Sequence, residues 1–569
     1  MKILLLHVDY IKFKPLKKAL KSIGELSEKE KKEKEVKEAL VVLTAVEKSD
    51  SNVKEVVKKL VENVKDVAGQ VKTKKIVLYP YAHLSKELAS PELAINILEE
   101  TEKKLKKDFD VVRAPFGYYK EFELKVKGHP LSELSREIRI DSDGKVQVEE
   151  KYDVKHLLGE ISKTKLDSSK LKDNDHRIVG QQMDLFSFSE VAPGMVFWHN
   201  NGLIIYNELA EFWREMHRKN DYQEVKTPQI MDKKLWQISG HWEKYKENNF
   251  TTDYEGRTFL VKPMSCPGGI LIFKNKPKSY KELPLRVAEL GVVHRCELSG
   301  VLAGLFRVIQ FTQDDAHIYC TENQIEDEIS KLLALVDLFY KKFGFNYHIE
   351  LSTRPEKRIG SDKIWDLAEN TLKKVLEKRK VKFKINKGDG AFYGPKIDFH
   401  LTDSLGRTWQ CGTIQLDFSM PERFEIEYTD KDNEKKRPVM IHNAIYGSLE
   451  RFIGILLEHT NGRLPTWLAP IQIQVLNLTD RNVDYAQKII RKIGEEIPNA
   501  RIDADFRQVP LPGKIKEAEI MRVPYIVVVG DKEEKEKTLA LRVRGNSKIE
   551  TIKIDSFIEK VKKEIAERV

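Results

Sequence analysis

Arginine is the residue type that first points to chemistry in this chain. Arg295 and Arg307 flank a loop in the stretch 291–320, with β-type runs of Val, Ile, Phe and Tyr on either side. A third arginine, Arg451, follows the sequence IYGSLE. A guanidinium group stays charged at any working pH, and its planar fork binds a phosphate or a carboxylate through two hydrogen bonds. The three arginines are therefore candidates for binding an anionic substrate, with solvated surface charge as the alternative.

No common phosphate-binding loop accompanies these arginines. The sequence contains neither GxxxxGKS/T nor GxGxxG, and neither HIGH nor KMSKS. Such loops hold phosphates through glycine-rich backbone and a helix N-terminus. If the chain binds ATP, another arrangement of side chains must hold it.

Composition limits the setting in which this chemistry takes place. Four unevenly spaced cysteines do not form a secreted disulfide framework, so we expect a cytoplasmic protein. The opening residues MKILLLHVDY read as a strand, because His7 and Asp9 interrupt the apolar run before it reaches the length of a signal-peptide core. The sequence has no run of about 18 apolar residues, so no membrane span is predicted. The formal charge of +10 is a mild excess for so long a chain; it is compatible with a polyanionic partner, but a solvated surface is the simpler explanation.

The first part of the chain reads as one α/β unit, residues 1–147. Apolar residues from Val53 to Val67 recur at helical spacing, a β-type run follows from Ile76 to Tyr79, and the alternating sequence KEFELKV predicts another strand. The charged stretch 27–38 is interpreted as a solvated helix. Residues 148–173 lose the core pattern and are predicted to be a linker.

The remaining 396 residues of the 569 divide into two predicted domains. Residues 174–465 contain long helical patterns, such as 323–343, and strand pairs around the three arginines. Residues 466–569 alternate between strand and helix, which indicates a small α/β domain with a largely parallel or mixed sheet. We expect most of the chemistry in the middle domain.

A set of motifs, taken in order, resembles the threonyl-tRNA synthetases. The segments are YQEVKTP ending at Pro228, PMSCPGG around Cys266, HRCE at Arg295, FTQDDAH, GPKIDF, WQCGTIQLDF and IYGSLERF, which contains Arg451. They include the three class II synthetase signatures: the dimer-interface proline and the arginines of motifs 2 and 3. The resemblance implies a multidomain α/β and α+β protein. Its parts would be an N-terminal editing domain like D-aminoacyl-tRNA deacylases, a class II catalytic core on an antiparallel sheet, and a C-terminal α/β anticodon-binding domain. It also implies a homodimer.

The resemblance implies one zinc ion per subunit. Cys266, His317 and His442 match the family's ligands, 51 and 125 residues apart, and three protein ligands leave a fourth tetrahedral position open. A metal that binds both the amino group and the hydroxyl of threonine would reject valine, which a hydrophobic pocket separates only about a hundredfold. The residues expected to line this threonine pocket are Met264, Gln313, Asp315 and Tyr393.

For activation, the resemblance implies ATP with Mg²⁺ and an adenylate intermediate. Arg295 would bridge the amino acid carboxylate and the α-phosphate, Arg451 would bind the γ-phosphate, and Lys396 would lie near the adenylate. Further nucleotide contacts are expected from Glu297, Arg307, Gln410, Thr413 and Ser448. The carboxylate of threonine is itself the nucleophile, so the protein's task is positioning and charge neutralisation.

Serine keeps both polar groups of threonine and is smaller, so the pocket cannot exclude it and editing is needed. The segments YPYAHLSKEL and APFGYYKEFELKVKGHPLSEL resemble the archaeal-type domain that hydrolyses seryl-tRNA. Residues that match its site are His83, Tyr119, Lys120 and Glu133. In the last domain, Glu533 and Arg542 match residues that read anticodon bases, whose edges are exposed in an unpaired loop. Arg544, Lys548 and Lys514 are candidate phosphate contacts nearby, with solvated surface lysines as the alternative.

Three functions are compatible with these residues. The first is an editing-competent ligase that joins threonine to its tRNA. The second is a class II synthetase for another amino acid, such as proline or serine, which need not use zinc. The third is a non-catalytic RNA-binding regulator derived from a synthetase, which we would expect to lack Arg295, Arg451 or a metal ligand.

Overall fold

The computed structural model describes residues 1–20, 23–28, 30–138, 154–161, 171–244 and 249–569. The chain forms two compact units, Met1–Leu157 and Leu158–Val569. Most of the predicted linker, residues 148–173, lies outside the described residues; the exceptions are a helix at 154–161 and residues 171–173. No helix within the described ranges is both long and apolar enough to cross a membrane.

The first unit is a six-stranded sheet covered on one face by two helices. The sheet order is β4-β3-β2-β1-β5, with β6 also paired to β1. The elements are β1 Lys2–Lys18, β2 Lys34–Ala45, α1 Val53–Gln70, β3 Lys75–Pro80, α2 Pro91–Leu105, β4 Asp110–Arg113, β5 Tyr118–Val126 and β6 Glu133–Glu137.

Apolar periodicity explains this layering. Val56, Leu60 and Val64 of α1 pack against one face of the sheet, and strand residues such as Val77 and Tyr79 form a second apolar cluster on the other face. The predicted helix from Val53 and the strands at 76–79 and 120–126 are confirmed. The predicted helix over 27–38 is wrong, because residues from Lys34 onward extend β2 and pair with β1.

The second unit begins with the strands of a large sheet and the elements that surround it. They are α3 Val154–Ile161, which spans the boundary between the units, then α4 His176–Gln182, β7 Phe186–Ser187, β8 Phe197–Trp198, α5 Asn200–Lys219, β9 Gln223–Glu224, β10 Ile230–Asp232, α6 Lys233–Ser239, α7 His241–Lys244, β11 Thr251–Tyr254, β12 Arg257–Val261, α8 Cys266–Lys274, β13 Leu285–His294, β14 Gln310–Cys320, α9 Ile325–Lys342, β15 Asn346–Ser352, α10 Asp362–Lys378, β16 Phe383–Asn386, β17 Lys396–Thr402, β18 Thr408–Asp417, α11 Ser419–Arg423, β19 Tyr428–Thr429, β20 Lys435–Lys436, β21 Val439–Ala444 and α12 Leu449–Thr460.

The eight-stranded sheet has the order β16-β15-β17-β18-β21-β14-β13-β9, and the pairs from β15 to β13 are all antiparallel. Alternation along each strand separates a core face from a polar face. In β14, Ala316 and Ile318 enter the large apolar core shared with α5, α9, α10 and α12. Gln313, Asp315 and His317 therefore point to the opposite face, where the candidate site lies.

The last part of the chain adds a five-stranded mixed sheet with the order β23-β22-β24-β25-β26. Its elements are β22 Ile473–Asn477, α13 Val483–Glu496, β23 Ile502–Asp505, α14 Leu511–Ile520, β24 Tyr525–Val529, α15 Asp531–Glu536, β25 Thr538–Val543, β26 Ile549–Lys553 and α16 Ile554–Glu567. The predicted strand and helix alternation is confirmed. Ion pairs join this sheet's segment to α5, with Arg501 to Glu208 at 2.7 Å and Arg568 to Glu215 at 2.5 Å. The predicted boundary near residue 465 thus falls inside one compact unit.

Candidate functional site

A buried cluster of one cysteine and two histidines lies on the polar face of the large sheet. His317 of β14 pairs directly with His442 of β21, and Cys266 is the first residue of α8. One ligand atom from each residue lies within 4.8 Å of the others. The structure thus brings together three residues that are far apart in the sequence, with the donor set that zinc prefers.

The chemistry of these three side chains suits a metal ion. Burial lowers the pKa of His317 to about 4, so its ring is neutral and can donate a lone pair. Its Nε2 makes no hydrogen bond among the residues described, although Asp315 Oδ1 lies 3.3 Å away. His442 Nε2 is 2.9 Å from Asp417 Oδ2, which leaves Nδ1 for a metal. Burial also raises the pKa of the Cys266 thiol, a penalty that metal binding to the thiolate would offset.

A cavity of about 330 Å³ opens beside this cluster. It is lined by Met264, Cys266, Arg295, Gln313, Asp315, Gly390, Ala391, Tyr393, Lys396, Thr413, Gln415, His442, Asn443 and Ala444. All four residues predicted to contact threonine are in this set. Tyr393 donates to Gln415 Oε1 at 2.5 Å, while the buried Gln313 Oε1 makes no hydrogen bond within the described part of the chain. Gln313 thus offers an acceptor to a bound ligand.

A second cavity of about 330 Å³ adjoins the first and holds every residue predicted to contact ATP. Its lining is Arg295, Glu297, Phe306, Arg307, Val308, Phe311, Gln313, Gln410, Cys411, Thr413, Gln415, Gly447, Ser448 and Arg451. Arg295, Gln313, Thr413 and Gln415 line both cavities. A ligand in one cavity can therefore meet a ligand in the other at the Arg295 guanidinium.

Specific contacts hold the arginines in place. Arg295 Nε donates to the Pro263 carbonyl at 3.1 Å, and its guanidinium lies over the Phe311 ring, 5.1 Å from the centroid. Arg307 pairs with Glu297 at 2.8 Å. Arg451 Nε donates to the Phe306 carbonyl at 2.9 Å. In Arg295 and Arg451 only part of the fork is used, so N–H groups remain for an anion.

A buried aspartate, Asp398, binds three side chains that line the two cavities. Asp398 accepts hydrogen bonds from Lys396 at 2.7 Å, Gln410 at 2.8 Å and Thr413 at 3.2 Å. Three predicted site residues therefore share one carboxylate. Sequence reasoning missed Asp398, although it stands within the GPKIDF segment that supplied Lys396.

Two further buried carboxylates were missed, and they hold β14 against the start of α12. Asp314 accepts from the backbone N–H groups of Ile445, Tyr446 and Gly447 at 2.7–2.9 Å. In return, Glu450 accepts from the Thr312 N–H at 2.9 Å. Burial raises the pKa of both carboxyls to about 7. The pair fixes the strand that carries Gln313 relative to the helix that carries Arg451.

The first unit contains a mainly apolar cavity of about 510 Å³, which includes three of the four predicted editing residues: His83, Tyr119 and Lys120. Lys120 Nζ donates to the carbonyls of Pro115 and Tyr118 at 2.9 and 3.0 Å, and burial lowers its pKa to about 8.

Glu133, the fourth predicted editing residue, does not line this cavity. It pairs with Leu6 of β1, whereas Lys120 pairs with Pro15 of the same strand. Nine residues of extended strand separate these positions by roughly 30 Å. The structure therefore does not bring Glu133 to the other three editing residues within one chain.

The two predicted anticodon residues lie in the last sheet's segment. Glu533 is in the first turn of α15 and accepts from the Gly530 N–H at 3.0 Å, and Arg542 is on β25, opposite Ile526. Lys514 is buried and donates to Asn477 Oδ1 at 2.9 Å. The prediction that Lys514 binds phosphate is therefore wrong, because its ammonium group is buried and hydrogen-bonded within the domain.

Three family models match separate parts of this chain. They are described as the archaea-specific editing domain of threonyl-tRNA synthetase, over residues 1–138, the tRNA synthetase class II core domain (G, H, P, S and T), over 248–460, and the anticodon binding domain, over 472–564. Together with the antiparallel sheet and the two adjoining cavities, they define the fold and domain set of the class II aminoacyl-tRNA synthetases.

Individual relatives narrow the class to one family. The chain is 53% identical over 395 residues to a threonine–tRNA ligase of Caldanaerobacter subterraneus subsp. tengcongensis and 52% identical over 397 residues to that of Carboxydothermus hydrogenoformans. These alignments cover 69% and 70% of this chain but only 61% and 62% of the relatives' length. A crystal structure titled as the RNA binding domain of threonyl-tRNA synthetase from Cryptosporidium parvum is 42% identical. The TM-score is 0.66, and the alignment covers 68% of this chain and 98% of the chain in that crystal structure. The chain belongs to the threonyl-tRNA synthetase family.

Proposed function

We propose that this protein activates L-threonine with ATP, transfers it to tRNA(Thr) and hydrolyses mischarged seryl-tRNA(Thr). One observation carries the synthetic part. Two cavities, one beside a buried cysteine–histidine cluster and one lined by three arginines, share the Arg295 guanidinium. An amino acid and a nucleotide bound in these cavities would meet where the carboxylate must attack phosphorus.

A zinc ion fits the cluster. Cys266, His317 and His442 would hold it, and Asp417 would orient the His442 ring. When bound, the ion would supply coordination positions for both the amino and the hydroxyl group of threonine, and so would separate threonine from valine. Gln313 and Asp315, which line the same cavity, supply acceptors for the N–H groups of the amine.

The remaining residues position ATP for an in-line displacement. The carboxylate oxygen of threonine attacks the α-phosphorus, the bond to the β-phosphate oxygen breaks, and pyrophosphate leaves with Mg²⁺. Arg295 neutralises the charge that develops between the two substrates, and Arg451 and Arg307 bind the distal phosphates. Lys396, held by Asp398, is placed at the junction.

Editing is assigned to the cavity of the first unit. Its mainly apolar lining suits a nucleoside, and Lys120 provides a donor to the ester carbonyl through the N–H that its two backbone contacts leave free. His83 and Tyr119 add polar groups at the rim. Glu133 has no role in the cavity of its own chain.

The partners proposed are tRNA(Thr), ATP, threonine and a second copy of the chain, in the cytoplasm. Pro228 is exposed and follows Thr227, which is anchored by hydrogen bonds to the buried Glu289. The resemblance of this exposed segment to the family's dimer-interface motif supports a homodimer. Glu533 and Arg542 are proposed to contact the anticodon.

Aminoacylation assays test the whole proposal. Charging of tRNA(Thr) with labelled threonine should be strong, and Cys266→Ala should lose bound zinc and threonine activation together. Lys120→Ala should charge threonine normally and accumulate seryl-tRNA, since the two sites are in separate units. Full activity of Cys266→Ala without zinc, or normal seryl-tRNA clearance by Lys120→Ala, would contradict the respective assignment.

A further inference from the structure

A histidine outside the region matched by the core family model contacts the loop that lines the nucleotide cavity. His176 begins α4, well before the region 248–460 matched by the core model, and is 1% exposed. The Leu305 N–H donates to His176 Nε2 at 2.9 Å, and Nδ1 lies 2.6 Å from Glu458 Oε1. A backbone N–H can only donate, so Nε2 must accept. The ring is therefore neutral and carries its proton on Nδ1.

The residue bound by His176 belongs to the loop that forms one wall of the cavity. Leu305 is followed by Phe306 and Arg307, which both line it. The Phe306 ring packs between His176 and Trp409, at centroid distances of 4.3 Å to each. The Phe306 carbonyl receives the hydrogen bond from Arg451. One imidazole thus supports both the ring and the carbonyl that shape the nucleotide side of the site.

The loop approaches His176 so closely at Gly304 that only glycine fits there. Gly304 has φ +53°, and a Cβ there would lie 2.2 Å from His176 Nε2. By contrast, a Cβ on Gly300 in the same loop would meet nothing within 4 Å. Of these two glycines, only Gly304 leaves no space for a side chain, because it lies against His176.

Asp175, His176 and Glu458 also have donor atoms within 4.8 Å of one another, which is compatible with a metal ligand set. The neighbouring charges oppose a cation. Arg407 pairs with Glu458, and Arg177 forms a two-point pair with Asp175 at 2.8 and 2.9 Å. With Nε2 occupied by the Leu305 N–H as well, the cluster is a hydrogen-bond network.

We propose that His176 is a positioning residue for the adenine nucleotide: its Nε2 holds the Leu305 N–H and thereby fixes Phe306, Arg307 and the carbonyl that orients Arg451. This proposal rests on the proposed function for its reaction assay. If Nε2 is lost, the loop can relax and expose the Leu305 N–H to water. Binding of ATP must then return the loop to a position in which that N–H is buried without a partner, so the penalty falls on ATP affinity.

Two substitutions at this position separate the ring's two contacts. Asn places an amide near Nδ1 and cannot reach Leu305, whereas Gln can place an oxygen near Nε2. We expect His176→Asn to weaken binding of Mg²⁺–ATP to the full-length protein, measured by calorimetry, about ten-fold. His176→Gln should recover most of this loss. The KM for threonine in pyrophosphate exchange and the zinc content should stay within about two-fold of wild type, which a general loss of folding would not allow.

A second pair of variants keeps the test decisive if His176→Asn does not fold. Gly304→Ala should weaken ATP binding similarly, and Gly300→Ala should not. Normal ATP affinity in His176→Asn or Gly304→Ala, failure of Gln to restore affinity, or an equal rise in the KM for threonine would overturn the proposal. So would a second bound metal ion per chain that disappears in His176→Asn. If wild-type protein binds ATP but shows no threonine-dependent exchange, the proposed function is overturned. The role of His176 is still tested in that case, because the calorimetric comparison of ATP affinity does not depend on the reaction.

Discussion

Asp417 offers the sharpest single test of the proposed zinc site, because it contacts a ligand without being one. Its Oδ2 lies 2.9 Å from His442 Nε2, and its Oδ1 accepts from the N–H groups of Ser419 and Met420 at 2.7 and 2.9 Å. In Asp417→Asn the amide oxygen can keep the two backbone bonds. The amide NH₂ then faces the Nε2–H of His442, donor against donor.

The magnitude follows from this mismatch. The His442 ring must turn away or move its proton to Nδ1, and either change removes the lone pair available to zinc. Loss of such an orienting partner weakens metal affinity about 10- to 100-fold, which corresponds to about 1.4–2.7 kcal/mol. The KM for threonine should rise in parallel, since the metal is proposed to bind its amino and hydroxyl groups.

The assay is competition for zinc between the apoprotein and a chromophoric chelator. Glu328→Gln is the matched control, because Glu328 is a buried carboxylate held by Arg286 at 2.6 Å and belongs to neither cavity. Its zinc affinity should equal that of wild type. Asp417→Asn with unchanged zinc affinity and threonine KM would refute the reasoning that His442 is oriented by Asp417.

Three further predictions follow from other groups. Because burial lowers the pKa of Lys120 to about 8, the cationic donor is lost as the pH rises through about 8. Seryl-tRNA hydrolysis, corrected for the spontaneous rate, should fall between about pH 7 and 9, and Lys120→Arg should abolish that transition; a flat wild-type profile contradicts it. Burial raises the pKa of Glu450 to about 7, so above that pH the ionised, buried carboxylate destabilises the fold. This penalty decreases as the pH falls toward the ordinary pKa of a glutamate. Glu450→Gln should therefore stabilise the protein by about 3 kcal/mol at pH 8.5 and by almost nothing near pH 4.5, as thermal unfolding would show; equal melting temperatures at pH 8.5 are the adverse result. Arg451→Lys loses the donor to Phe306 and should raise the KM for ATP about ten-fold while leaving that for threonine unchanged; equal changes in both would count against it.

Local patterns predicted most of the elements correctly. Helical spacing in α1 and the strand–helix alternation after residue 465 reflect burial of one face, which a sequence shows directly. The charged stretch 27–38 was misread because pairing of Lys34–Lys37 with β1 overrides its composition. Long-range strand pairing is invisible in a local window.

The candidate site depended on a different kind of information. His317 and His442 meet through the register of β14 and β21, and Cys266 joins them from the start of α8. No spacing rule could have assembled the three residues, and the motifs did so by resemblance. The same resemblance grouped Glu133 with Lys120, which the register along β1 separates. Resemblance transfers residue identities, whereas distances require the structure.

His176 lies outside the quoted motifs, and Asp417 lies within WQCGTIQLDF but was given no role there. Both act through a neighbour, Leu305 and His442 respectively, and neither residue type is informative by itself. Their roles become visible only when each donor is matched with an acceptor.

The most direct test of the central claim is amino-acid-dependent exchange of pyrophosphate into ATP by zinc-loaded protein, with zinc measured on the same sample. The account predicts strong exchange with threonine, weaker exchange with serine and negligible exchange with valine, because only the first two carry the hydroxyl that the site distinguishes. Exchange with none of them by folded, zinc-loaded protein, or a preference for a different amino acid, would contradict it.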